Sequence, residues 1–279
     1  MSEPTSTTQH LYQTAGEGVR VTFGGDRLKA LDYYREFVGF VTGVAPPAGA
    51  PRLLDVGCGS GWSTFALAHE GYDATGIDLN ENAFEPPAAE RLCLRRGSAL
   101  EIDFPAAAFD VVVTYQCLEH LPDPERALGE MDRVCKPGGV VCVVGPNLVS
   151  PTVPLVYLCK PRAWREMRWV RRPETPRHPY GNTFWELLGV SVLRCGQLTG
   201  KLLRRWPHFT MREPDPRPPF HADNDACYLC NPLDLIRFFR ARGYHIQRHG
   251  KPGRPPLSYL LAGGTWVAAR KPTAPLALP

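Results

Sequence analysis

Leu53-Leu54-Asp55-Val56-Gly57-Cys58-Gly59-Ser60-Gly61-Trp62 is the stretch that decides how this chain folds. Leu53 to Val56 has the apolar pattern of a buried strand, and Gly57 to Gly61 must turn sharply. Trp62 to Glu70 then has the composition of a helix packed back on that strand. Glycine is required where φ is positive, or where a Cβ would keep a ligand off the backbone. A strand, a glycine-rich turn and a helix N-terminus together make a nucleotide pocket at the carboxyl edge of a parallel sheet. The spacing narrows the choice. A dinucleotide fingerprint needs a third glycine at position 62, where this chain has Trp62.

Outward from the loop, strands and helices alternate. On the N-terminal side, Asp26 to Val41 places Leu28, Leu31, Tyr34, Phe37, Val38 and Val41 at helical spacing, with Asp26 as the cap. Pro46-Pro47 ends that element. On the C-terminal side the pattern predicts strands over 72–78, 92–96, 109–115 and 139–144, and a helix from Asp123 to Cys135. A weaker helical pattern from Glu81 is broken by Pro86-Pro87. Strands separated by helices imply parallel crossovers, and so a doubly wound, Rossmann-like α/β sheet.

Regularity ends at Pro146. Up to about Ala226, prolines, arginines and aromatics follow no clear period. The α/β pattern returns at Asn231-Pro232-Leu233-Asp234, which supplies an N-cap residue, a proline at the first helical position and an acid in the first turn. This helix should stop at Gly243 and be followed by strands over 244–248 and 265–270. The expected organisation is a flexible N-terminus over 1–25, an α/β core over 26–145 and an inserted irregular or helical lid over 146–226. The rest of the core follows over 227–271, with a tail over 272–279.

Composition sets the bounds. The 279 residues suit one α/β core with an elaboration. The N-terminal residues are polar, and no apolar run approaches the ~18 residues of a spanning helix, which points to a cytoplasmic protein. Nine scattered cysteines suit buried thiols in a reducing compartment, not a disulfide framework. Cys227-x-x-Cys230 lacks the second pair that a zinc site needs, so no metal is expected. The net charge of +4 is unevenly spread. Residues 1–150 sum to −9, residues 151–212 to +9 and residues 213–279 to +4. Such confinement argues against a nucleic-acid surface spread over the molecule, and for an anionic partner near one segment.

Asp55-x-Gly57-x-Gly59-x-Gly61 resembles the glycine loop of the class I S-adenosylmethionine (AdoMet)-dependent methyltransferases. The resemblance continues through Gly76-Ile77-Asp78-Leu79, Gly97-Ser98-Ala99, Phe104-Pro105, Phe109-Asp110-Val111-Val112, Leu118-Glu119-His120-Leu121, Pro122-Asp123-Pro124, Arg133-Val134 and Lys136-Pro137-Gly138-Gly139. This order is similar to that of the ubiquinone/menaquinone-type branch, whose members methylate small molecules. It implies a seven-stranded sheet, AdoMet as cofactor and a small-molecule or lipid-like acceptor. The cofactor-binding residues it implies are Asp55, Gly57, Cys58, Gly59, Gly61, Trp62, Asp78, Leu79, Ser98, Ala99 and Gln116. Asp78, at the end of the second strand, can accept hydrogen bonds from both ribose hydroxyls, though a solvated strand-end carboxylate is the plainer alternative. Ser98 stands where many relatives have an aspartate on the adenine amino group, so the hydroxyl or the Ala99 backbone would take that place.

His120 is the candidate catalytic base. A neutral imidazole with a pKa near ~6.5 can take the proton of a hydroxyl acceptor as the methyl group moves. A histidine that caps a turn or positions the cofactor is the competing reading, with His178, His208 and His221 as rival bases. Tyr115-Gln116-Cys117-Leu118 replaces the Asn/Asp-Pro-Pro-Tyr/Phe motif of relatives that methylate base or glutamine nitrogens, which disfavours nucleic acid as substrate. The insertion mixes Trp164, Trp169, Trp185 and Trp206 with Arg162, Arg165, Arg168, Arg171, Arg172, Arg204 and Arg205. A substrate lid and a peripheral membrane contact both suit that mixture; a lid with its own small core and solvated arginines is the bland one. In-line methyl transfer to oxygen is the leading functional reading. An NAD-dependent oxidoreductase and a non-catalytic AdoMet-binding module are the alternatives.

Overall fold

The computed structural model describes residues 23–154, 184–213, 226–251, 253–254 and 258–274. Helix α1 (Arg27–Thr42) precedes strand β1 (Arg52–Val56), helix α2 (Trp62–His69) and strand β2 (Asp73–Asp78). Strands β3 (Leu92–Arg96) and β4 (Phe109–Tyr115) follow, then helix α3 (Pro124–Val134) and strand β5 (Cys135–Pro146). Helix α4 (Phe184–Leu203) lies in the insertion. Helix α5 (Pro232–Ala241), strand β6 (His245–His249), the short helix α6 (Ser258–Leu261) and strand β7 (Gly264–Arg270) complete the described elements.

The seven strands form one sheet in the order β3-β2-β1-β4-β5-β7-β6. The first five are parallel, while β7 runs antiparallel between β5 and β6. The order reverses between β1 and β4. An open α/β sheet holds ligands at the carboxyl ends of its strands at such a reversal, because loops to opposite faces leave a crevice there.

Strand alternation feeds two cores. Leu54, Val56, Val112, Val141 and Val143 pack on one face with α3 and α5, through Leu128, Met131, Leu235 and Phe239. Leu53, Val111, Val113 and Val140 pack on the other face with α1 and α2, through Phe37, Val41, Trp62 and Leu67. Caps set the helix starts as the residue types predict. Asp26, Asp123 and Asn231 each accept the backbone N–H three residues on, and Pro124 and Pro232 open their helices.

Two expectations need correction, and one becomes specific. The segment at Glu81 forms a single 3-10 turn (Glu81–Ala83), because Pro86 and Pro87 allow no further helical hydrogen bonding. The fifth strand begins at Cys135 instead of Gly139, since Cys135 already pairs with Phe109 ahead of a bulge. The insertion, which shows no clear period in sequence, contains the 20-residue helix α4. Its inward face is Leu187, Ser191, Arg194, Leu198 and Lys201. Those positions keep a helical spacing, but polar and charged residues occupy three of them, so hydrophobicity does not reveal the period.

Candidate active site

The glycine loop sits at the sheet reversal, between the end of β1 and the start of α2. Gly57 and Cys58 both donate to the carbonyl of Ile77, at 2.8 and 3.0 Å, which ties the loop to β2. Gly57 has φ +72°, and a Cβ there would stand 2.1 Å from the Cys117 sulfur at the end of β4. Gly59 has φ +55°, yet nothing lies within 4 Å of its would-be Cβ. Glycine at 57 is thus required by the fold. At 59 the space above the backbone is open, and a side chain would fill it.

Asp78 closes the loop from the side. Its Oδ2 accepts from the Gly59 N–H at 2.9 Å and its Oδ1 from the Asn80 N–H at 3.1 Å, which fixes the carboxylate plane. A carboxylate with about four lone-pair sites suits a pair of ribose hydroxyls. Leu79 follows it, half-buried. The Gly97 N–H donates to the Asp78 carbonyl at 2.9 Å, bringing 97–99 beside the end of β2. The Ser98 hydroxyl accepts from the Leu100 N–H at 3.2 Å, and Ala99 is buried.

Asp55 lies wholly buried beneath the loop. Its Oδ2 accepts from Ser63 Oγ at 2.6 Å and Thr64 Oγ1 at 2.9 Å, both in the first turn of α2. Its Oδ1 has no hydrogen-bond partner among the described residues. Burial pushes this carboxyl up to about 6, against the two hydroxyl donors that pull it down; the Asp78 charge adds a smaller upward push. Burial likewise raises the thiols of Cys58 and, at the end of β4, Cys117. Trp62 is fully buried, and its ring nitrogen donates to Glu85 Oε2 at 2.7 Å. Its side chain therefore braces the loop from within the core, and only its backbone, at the start of α2, borders the open space.

The β4 end supplies the opposite wall. Gln116 is exposed at φ +52° and donates its N–H to the Val144 carbonyl at 2.8 Å. Glu119 is fully buried, and His120 Nε2 lies 3.7 Å from its Oε1, with the imidazole side chain 17% exposed. That distance exceeds a hydrogen bond, but it holds a carboxylate against the imidazole. Of the rival histidines, His208 lies beyond α4, where its backbone N–H donates to Asp234. His178 and His221 lie outside the described residues.

Two contributors escape sequence reasoning. Glu85 accepts from Phe23 N and Trp62 Nε1 and donates its own N–H to the Ser60 carbonyl, so it knits the residues before α1 to the loop. Pro86-Pro87 hides it inside an apparently broken segment. Tyr34 and Tyr115 meet edge-on at 5.5 Å, with Phe23, Tyr33 and Phe37 around them, forming an aromatic wall beside β4. Periodicity assigns Tyr34 only to a core face.

Residues 54–143 match the family model described as "Methyltransferase domain". A ubiquinone biosynthesis O-methyltransferase of Methylococcus capsulatus is 41% identical over 99 residues, 32% of this chain and 41% of that protein. Ajmaline N-methyltransferase of Rauvolfia serpentina is 30% identical over 162 residues, 54% of this chain and 55% of its own length. The chain thus spans about half or less of these curated relatives. A crystal structure of an S-adenosylmethionine-dependent methyltransferase from Mesorhizobium loti superposes with a TM-score of 0.53 at 15% identity, covering 86% of this chain and all of that one. That likeness concerns the fold. Residues 54–143 are therefore a methyltransferase domain, similar to that of the class I S-adenosylmethionine-dependent methyltransferases. S-adenosylmethionine is the cofactor of that family, and the open space over Gly59, bordered by the Asp78 carboxylate and the α2 N-terminus, fits it.

Proposed function

We propose that the protein transfers the methyl group of S-adenosylmethionine in line to a small-molecule or lipid-like acceptor, at oxygen. The observation that supports this best is the loop itself, where Gly59 donates to Asp78 while leaving clear the space a nucleoside would fill. Asp55, Gly57, Cys58, Gly59, Gly61 and the Trp62 backbone shape one side of the cofactor site. Asp78 with Leu79, Ser98 with Ala99, and Gln116 shape the ribose, adenine and methionine sides.

Bound S-adenosylmethionine supplies an activated methyl group on a sulfonium. The protein's task is then to align the acceptor and to remove its proton, and alignment alone is worth ~7–11 kcal/mol. His120 is the base in this reading. The buried Glu119 side chain, 3.7 Å from the imidazole Nε2, would orient the ring. The match lies in the cofactor half, and the two relatives above bear names of an O- and an N-methyltransferase, so the acceptor is decided outside that half.

Calorimetry with S-adenosylmethionine against NAD tests the cofactor, and formation of S-adenosylhomocysteine with a panel of phenolic acceptors tests turnover. His120→Ala should bind the cofactor within a few-fold of wild type and turn over ~10²-fold more slowly. Loss of affinity and rate together would make His120 a cofactor-positioning residue, and an unchanged rate would remove it from catalysis. Tight NAD binding without S-adenosylmethionine binding would overturn the reading.

A further inference from the structure

Helix α4 turns large apolar side chains toward water while it buries charged ones. Its inward face holds Leu187 and Leu198 together with Ser191, Arg194, which donates to the Ser150 carbonyl at 3.1 Å, and Lys201, paired with Asp234 at 2.5 Å. Its outward face carries Trp185, Val192 and Leu193, all more than 60% exposed, with Gly189, Gly196 and Gly200 among them. The face runs on into Leu202 and Leu203, then Arg204, Arg205 and Trp206, every one of them exposed. Water gives no reason for large apolar groups to be outside while a lysine is buried.

We infer that this outward face, with the Leu203-Arg204-Arg205-Trp206 corner, rests on an anionic lipid surface. Charge selects the occupant. Two exposed arginines, Arg204 and Arg205, lie between Leu203 and Trp206 at the end of the apolar face. That places cations at head-group depth beside side chains that enter the acyl boundary. A second copy of the same chain would bring the same positive charge against itself. The face lies on the membrane without crossing it, since among the described residues no helix is long and apolar enough to span. At ~1.5 Å per residue, α4 offers a contact about 30 Å long. The Lys201–Asp234 pair, joined by Tyr228 and Asn231, holds this helix to α5 and so to the sheet. The contact requires no methyl transfer, so its test reads binding alone. The more basic stretch Lys160–Arg172, with Trp164 and Trp169, lies outside the described residues and takes no part in the argument.

Co-sedimentation of the full chain with phosphatidylcholine vesicles, with and without phosphatidylglycerol, provides the test. We expect binding to the anionic vesicles at low ionic strength that weakens as salt rises. Arg204→Gln with Arg205→Gln should weaken it about thirty-fold at low salt, the effect of two arginines near such a surface. Leu203→Asn with Trp206→Ser should weaken it by at least about ten-fold, from lost apolar burial, with unchanged circular dichroism. Val192→Asn with Leu193→Asn tests the middle of the face independently. Absence of binding at low salt overturns the inference. Binding that depends on the arginines and ignores both apolar pairs also overturns it, because the face is then not seated in lipid. So does a dimer, seen by analytical ultracentrifugation, that the apolar substitutions dissolve.

Discussion

Helices α2 and α4 solve opposite problems on the same sheet. In α2 seven of eight residues are buried, and its two hydroxyl side chains, Ser63 and Thr64, both serve Asp55. In α4 the buried face mixes Leu187 and Leu198 with Ser191, Arg194 and Lys201, while Trp185, Val192 and Leu193 look outward. The first arrangement builds a rigid floor for a ligand from inside the core. The second builds a surface, held down by the Lys201–Asp234 pair, the Arg194 bond to Ser150 and the packing of Leu198 on Val149 and Leu233.

The sharpest way to break this contrast is through the loop that α2 supports. Gly59→Val should fold but lose S-adenosylmethionine binding altogether, because the branched side chain fills the open space and opposes a positive φ. Gly57→Val, which meets the Cys117 sulfur, should fail to fold stably. Circular dichroism with calorimetry separates the two. A Gly59→Val protein that binds normally ends the assignment of the loop.

On the other side of the contrast, Lys201→Met should detach α4 while leaving the sheet intact. Removing one member of a buried pair costs ~3–5 kcal/mol when the other charge has no replacement. Here Tyr228, Asn231 and the His208 N–H also reach Asp234, so the low end is expected. Hydrogen exchange should speed in 184–203 with little change in β1 or β4. Uniform loss of protection would mean that the helix and sheet unfold as one unit.

A smaller effect tests the floor itself. Asp78→Ala should weaken S-adenosylmethionine by one to two orders of magnitude, from two charge-assisted bonds worth ~1.5–3 kcal/mol each less what water returns. Unchanged affinity by calorimetry leaves Asp78 as a loop brace only.

The mildest prediction concerns pH. The folded state holds the Asp55 proton up to about 6, against 3.8 for the ordinary carboxyl. The stability this proton contributes is complete below the unfolded value and is lost as pH rises through the folded one. The loss should be on the order of 1 kcal/mol per pH unit over that window. Asp55→Asn, which cannot ionise, should therefore gain on wild type across the window and hold a constant lead above it. Urea denaturation at several pH values checks this, and a lead that shrinks with rising pH would contradict the burial argument.

The same two helices explain what was legible in the sequence. The strands from β1 to β4, their parallel order and the glycine loop are visible because apolar runs, glycines and Asp78 each point the same way. The start of β5 was not, since Cys135-Lys136-Pro137 reads as a helix end and a turn before it reads as a strand. Helix α4 was hidden because tertiary partners, Ser150 and Asp234, satisfy its buried charges and no local pattern announces them. Glu85 was missed for a related reason, since its role depends on Phe23 and Trp62, distant in sequence.

Where the insertion leaves and rejoins the sheet, the Leu148 N–H donates to the Cys230 carbonyl at 2.8 Å. A backbone hydrogen bond thus ties the two chain segments of that neck together. Lengthening a loop already closed at its neck costs little, roughly 0.6 kcal/mol for each doubling. Segments of different length can therefore hang from this neck at little cost to the sheet. Grafting a foreign segment between Leu148 and Cys230 is the natural way to redesign this part of the chain.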